Sequence, residues 1–237
     1  MTKSLRVLLD RLIDYAGLFP PAALSMQDAV RNYARYRDGD YAWALGRFVV
    51  PKERVREVPP EFPLSILGVD EVKDLEDAKP GAFVEITDTS LLPELKKRNL
   101  RAKIRTGGIT EDAFPTPERV ARFIRACKEA GVAFKATAGL HHPLRCVKPL
   151  TYEPNAVMGT MHGFVNVFIA AAMIEHAEEI LREEDPKAFV FTDDAVAWRG
   201  HEVSAETLAK TRKEFALSFG SCSFEEPIGD LKELGWL

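Results

Sequence analysis

The chain has 237 residues, 46% hydrophobic and 29% charged, an ordinary balance for a globular protein. Its net charge of −4 gives no electrostatic case for nucleic acid or an anionic membrane as partner. The three cysteines, Cys127, Cys146 and Cys222, are odd in number and lack a pairing spacing, which predicts a reducing, cytoplasmic setting. The N-terminal MTKSLRVLLDRLIDYAG mixes acidic with apolar residues, unlike a signal peptide. The most apolar run, Phe164–Ile174, contains Asn166 and is shorter than the ~20 residues that span a bilayer. No repeat or linker divides the chain, so residues 1–237 read as one domain.

In chain order, Leu5–Leu12 reads as a short helix and Ile13–Phe19 as a first strand ending at Pro20-Pro21. A helix follows from Ser25 to Arg37, with Ser25 and Asp28 resembling a capping box. Leu45–Val50 and Leu64–Val69 are strands. Glu71–Ala78 reads as a helix capped by Asp70, Ala82–Thr87 as a fourth strand and Leu91–Arg98 as its helix. Arg101–Arg105 and Phe134–Thr137 are strands flanking a helix that Thr116 and Pro117 begin and Gly131 ends. A long stretch, His141–Thr160, leads to a helix from about His162 to Glu184. It is longer than usual αβ connections, and at a catalytic face such loops act as lids. Phe189–Thr192, Ala205–Phe215 and Ala216–Cys222 read as strand, helix and last strand, and Gly229–Leu237 as a closing helix. Eight strands alternating with helices predict an α/β fold, a (β/α)8 TIM-like barrel. No glycine-rich dinucleotide fingerprint follows an early strand, and no cofactor is assigned.

The alternation of the fifth and sixth strands sets the chemistry. If Ile104 and Phe134 face the helices, Lys103, Arg105 and Lys135 project together into the barrel. On the fourth strand the same logic sends Glu85 inward, beside Lys103. Buried charges are costly unless paired or used. Neighbouring cations are expected to depress the Lys135 pKa and make it a nucleophile able to form a Schiff base, with Glu85 and Lys103 tuning it and moving protons. Arg105 would hold a phosphate or carboxylate. Thr137, beside Lys135, and His141, just past the strand, are assigned as substrate contacts, and Ser218 and Ser221 of SFGSCS could hold a phosphate or sugar. The competing reading is that the lysines and carboxylates plug the barrel structurally.

The segment LRAKIRTGG, a helix and then AGVAFKATAG resembles the corresponding part of deoxyribose-phosphate aldolases, class I Schiff-base enzymes on a (β/α)8 barrel. By that resemblance Lys135-Ala136-Thr137-Ala138-Gly139 stands where the family's sixth strand carries its imine-forming lysine, and Glu85 falls near its catalytic aspartate. The family's second lysine, on the seventh strand, has no counterpart in Phe189–Thr192, where Thr192, Asp193 and Asp194 stand instead.

The resulting expectation is a lyase-type enzyme acting on a small, anionic carbonyl or sugar-phosphate substrate. One alternative is a phosphosugar isomerase or transferase using the same cluster without an imine. The other is a non-catalytic barrel that serves as a binding module. A metal would recruit His141 or His142, His162, Asp193 or Asp194, and Glu225, but no pair has a recognised ligand spacing and none is assigned. The partner implied is a small molecule, with a homo-oligomer compatible.

Overall fold

The computed structural model describes residues 1–237. Eight parallel strands close into a barrel: β1 (Ile13–Tyr15), β2 (Leu45–Pro51), β3 (Leu64–Leu67), β4 (Glu71–Val72), β5 (Phe83–Glu85), β6 (Arg101–Arg105), β7 (Phe134–Thr137) and β13 (Ala216–Ser221). Closure runs from β7 directly to β13 and from β13 to β1. Helices α1 (Lys3–Leu9), α2 (Met26–Arg37), α3 (Leu92–Lys97), α4 (Pro117–Ala130), α5 (Phe164–Ala172), α6 (Ala177–Arg182), α7 (Ala205–Glu214) and α8 (Glu225–Glu233) surround it. This is a TIM-like α/β barrel. No helix is long and apolar enough to cross a membrane.

Local sequence dictates much of this. The Ser25 hydroxyl accepts the Asp28 N–H at 3.1 Å and so caps α2. Thr116 caps α4, Pro117 opens it, and Gly131 ends it at φ 62°. The stripe Val120, Phe123, Ile124 and Cys127 on α4 is buried, and Phe123 meets Phe134 of β7 edge-to-face at 5.6 Å. Tyr15, Tyr33, Phe48 and Phe62 form one aromatic cluster that seats α2 on β1 and β2. Arg212 of α7 is buried and donates to the carbonyls of Leu8, Asp10, Ala216 and Leu217, which ties α7 to the chain entering β1 and to β13.

Several elements differ from the sequence reading. Glu71–Ala78 is not a helix. The Asp70 carboxylate, instead of capping forward, accepts the Ile66 N–H behind it at 2.9 Å. With Gly68 at φ 84° this makes a tight turn that returns the chain as β4, beside β3 and β5. Phe189–Thr192 is not a barrel strand. Phe189–Phe191 (β10) joins Ala195–Trp198 (β11) and His201–Ser204 (β12) in an outer antiparallel sheet. The β11–β12 turn holds Arg199 and Gly200, both at positive φ, the signature of a two-residue hairpin. The barrel therefore reaches eight through β4. The helix expected from His162 to Glu184 is broken into α5 and α6, and the stretch His141–Thr160 holds a hairpin of β8 (Cys146–Pro149) and β9 (Met158–Met161). The closing helix begins at Glu225 rather than Gly229.

At the C-terminal end of the barrel the loops after β6 and β7 pack backbone to backbone. A Cβ on Gly139 would lie 2.8 Å from the Gly107 Cα and 2.7 Å from the Phe114 ring, and Gly139 sits at φ 71°. The preceding Ala138 also has a positive φ, 63°. Gly139→Ala is thus expected to destabilise the fold by about 1–3 kcal/mol in urea titration, through both strain and collision. Ala138→Gly, which relieves the same backbone conformation, should be neutral or stabilising, and equal losses at both positions would contradict this packing.

Candidate active site inside the barrel

Register brings the charged residues together. Glu85 pairs with Lys103 and Lys103 with Lys135 across β5, β6 and β7. The Lys135 ammonium lies 2.8 Å from Asp14 Oδ2 and 2.7 Å from Glu71 Oε1. Lys103 lies 3.2 Å from Glu71 Oε2 and 3.1 Å from Glu85 Oε2, and Arg105 Nε stands 3.6 Å from Glu85 Oε1. Asp14, Lys135, Glu71, Lys103, Glu85 and Arg105 thus form one chain of alternating charge, three carboxylates against three cations. It runs from the buried interior to the exposed Arg105.

The two inner carboxylates are fully engaged. Asp14 also accepts the Ser218 hydroxyl at 2.8 Å and the Arg47 N–H at 2.8 Å. Glu71 accepts the Ser65 hydroxyl at 2.6 Å. Gly46 makes room for this, because a Cβ there would fall 2.4 Å from Asp14 Oδ1. Such saturation is what allows ions to remain inside a barrel.

The electrostatics reverse one expectation. Burial by itself would lower the Lys135 pKa, but the carboxylates of Asp14 and Glu71 outweigh it and hold the pKa above its ordinary 10.5. Lys103 does not depress Lys135, because Glu71 stands between the two amines and bonds both. For Glu71 burial would raise the pKa, and Lys135 and Lys103 overcome it, bringing the pKa from 4.5 to about 2.

Above this network, at the C-terminal ends of the strands, lies a cavity of ≈ 390 Å³. Lys135, Lys103, Arg105 and Glu71 reach it from below, with Thr137 and His141 at its side and Gly220 and Cys222 from the last strand. Thr137 and His141 therefore line the same cavity as the lysine. Ser218 does not line this cavity: it faces Asp14 at the opposite, N-terminal end. Ser221 is buried, with its hydroxyl turned to the Ser223 N–H at 3.3 Å rather than to the cavity. Of that run, Gly220 and Cys222 rather than the two serines line the cavity.

The histidines serve the rim. His141 Nδ1 bonds Glu226 at 2.9 Å and His142 Nδ1 bonds Asp230 at 2.5 Å, tying the chain after β7 to α8. Burial would raise the Glu226 pKa, but the bond and charge of His141 bring it below the ordinary value. His162 turns to the Pro115 carbonyl at 2.6 Å, and Asp193 accepts the Lys3 N–H at 2.8 Å. No three such side chains are grouped in a way that would hold a metal ion. Asn166, in the helix after the hairpin, is a staple: it donates to Ile180 and Glu183 carbonyls and accepts the Arg145 N–H.

Sequence reasoning assigned neither Glu71 nor Asp14 to this network. Asp14 sits on a three-residue strand, too short for alternation to reveal its direction. Glu71 was hidden by the helix-like Asp70-Glu71 pair. The only available signal was charge balance: three cations aimed inward need more than one carboxylate.

The fold and this interior define a TIM-like barrel with a buried lysine-centred charge network. Compared with known proteins, the chain matches no protein-family model, no curated protein and no solved structure. The likeness to deoxyribose-phosphate aldolases therefore rests on Leu100–Gly139 alone.

The network has a pH signature. Glu71, with its folded pKa depressed, contributes stability that is complete above about 4.5 and lost as pH falls toward about 2. Lys135, with its folded pKa raised, contributes stability complete below 10.5 and lost as pH rises through its higher folded value. Lys135→Met leaves the buried Asp14 without a cation and Glu71 with Lys103 alone, and is expected to cost about 3–5 kcal/mol at neutral pH. In that variant acidification should partly restore stability by neutralising the carboxylates. Urea titrations from pH 3 to 8 measure this, and a variant with the parent's acid limb would refute the clamp.

Proposed function

We propose that this protein is an enzyme acting on a small anionic carbonyl compound, with Lys135 engaging the carbonyl and carbon–carbon lyase chemistry as its reaction. The observation that carries this reading is the placement of one fully buried lysine at the base of a cavity on the C-terminal side of the barrel, with carboxylates in direct contact and Arg105 at the rim. That side is where barrel enzymes work. The local likeness of Leu100–Gly139 to class I aldolases supports the same lysine.

The resting ammonium must lose a proton before it attacks, and Asp14 and Glu71 are the bases within hydrogen-bond reach. The free amine adds to the carbonyl carbon, and the carbinolamine loses water to leave an iminium. That iminium is again a cation, so it occupies the place of the ammonium between the same two carboxylates, which stabilise it electrostatically. The breaking carbon–carbon bond delivers its electron pair to the iminium, giving an enamine, while a carboxylate takes the hydroxyl proton. Reprotonation at carbon and hydrolysis return the lysine. Lys103 and Glu85 extend the proton path toward the cavity. Arg105, exposed and only loosely held by Glu85, is free to swing onto a substrate phosphate or carboxylate.

One observation favours a second reading, isomerisation or group transfer without an imine. The double carboxylate clamp keeps Lys135 charged, which suits polarising a carbonyl or binding a phosphate.

Borohydride reduction in the presence of small aldehydes, 2-oxo acids and sugar phosphates separates these readings. A reduced adduct on the peptide bearing residue 135, absent in Lys135→Ala, is the outcome expected of the lyase. Thermal stabilisation by sugar phosphates without any adduct favours the second reading. Neither adduct nor stabilisation across the panel would leave a binding barrel and refute both.

A further inference from the structure

A second cavity, ≈ 760 Å³, opens at the other, N-terminal end of the barrel. Around it stand Arg11 before β1, Arg37 at the end of α2, Arg47 on β2, Arg101 at the start of β6 and Lys213 on α7. None of the five side chains has an ion-pair or hydrogen-bond partner: Arg37 lies over Phe62 and Arg101 over Phe83. Asp14 is the one carboxylate in the lining, and it is already taken by Lys135, Ser218 and the Arg47 N–H. The floor is therefore already paired, and the rim carries five cations without an ion-pair partner.

The two ends of the barrel differ in this respect. At the C-terminal end Lys103 and Arg105 are matched by Glu71 and Glu85. At the N-terminal end, in a chain whose net charge is −4, five cations from five places in the sequence gather with no acidic partner. Like charges so gathered repel, and an anion relieves the repulsion. Arg11 is further held in a left-handed backbone, φ 46°, with its N–H bonded to the Trp43 carbonyl at 2.8 Å. A non-glycine residue there carries a conformational cost.

We propose that this end of the barrel binds an oligophosphate, in a site separate from the cavity above Lys135. Four of the five cations are guanidinium groups, whose planar forks match phosphate oxygens two at a time. They are distributed around a cavity far larger than one phosphate, so a chain of two or three phosphates uses them where a single phosphate reaches one or two. The concave shape and the acidic chain as a whole argue against a nucleic-acid duplex, which needs an extended basic face. The proposal is independent of the chemistry assigned to Lys135.

Titration calorimetry of the full chain with inorganic tripolyphosphate, and separately with ATP, tests it. One saturable site per chain is expected, weakening as salt is raised. Arg11→Gln combined with Arg47→Gln should weaken binding at least tenfold, while Lys187→Gln, on an exposed side chain that does not line the cavity, leaves it unchanged. If the double variant melts early, Lys213→Gln provides the comparison, with a smaller loss expected. Equal affinity for the two ligands assigns recognition to the phosphate chain, and tighter ATP adds a contact to the nucleoside. Absence of saturable binding, or binding that the substitutions do not weaken, overturns the proposal.

Discussion

The ammonium of Lys135, held at 2.8 and 2.7 Å by two carboxylates from opposite parts of the barrel, is the contact on which the interior depends. Asp14 comes from the first strand, Glu71 from the fourth and Lys135 from the seventh, 121 and 64 residues away in sequence. An ion in the centre of a small barrel is stable when carboxylates neutralise it and those carboxylates are themselves satisfied. Ser65, Ser218 and the Arg47 N–H complete that condition. The same contacts that fix the register of β1, β4 and β7 therefore fix the protonation of the lysine.

This arrangement gives the barrel a polarity of charge along its axis. Toward the C-terminal ends of the strands, cations and carboxylates alternate outward to Arg105, so the cavity there has a graded, paired surface. Toward the N-terminal ends the carboxylates stop at Asp14 and the arginines are unpaired. Lys135 lines both cavities and separates them. A single side chain is thus the partition between a cavity lined by paired charges and a rim of unpaired cations.

Peripheral elements hold this core rather than add to it. The bonds of His141 to Glu226 and His142 to Asp230 anchor the chain after β7 on α8, and Asn166 and Arg212 satisfy backbone carbonyls where helices meet the barrel. Their burial and bonding explain why polar residues occur in otherwise apolar stretches, such as Asn166 in Phe164–Ala172.

How much of this was legible in the sequence follows from range. The helix caps at Ser25, Thr116 and Gly131, the inward aim of Lys103 and Lys135 and the neighbourly placing of Glu85 are consequences of local periodicity and of adjacent strands, and the sequence determined them by itself. The identity of the eighth barrel strand was not local: Glu71–Val72 is too short to show a pattern, and Phe189–Phe191 has a strand's composition in either setting. Tertiary structure decided that the hairpin partners β11 and β12, close in sequence, would take β10 away from the barrel, while a turn at Gly68 put Glu71 into it. That exchange placed a carboxylate between two lysines and turned an expected low-pKa amine into a clamped ammonium, because Coulomb interactions depend on distances that only closure of the barrel sets.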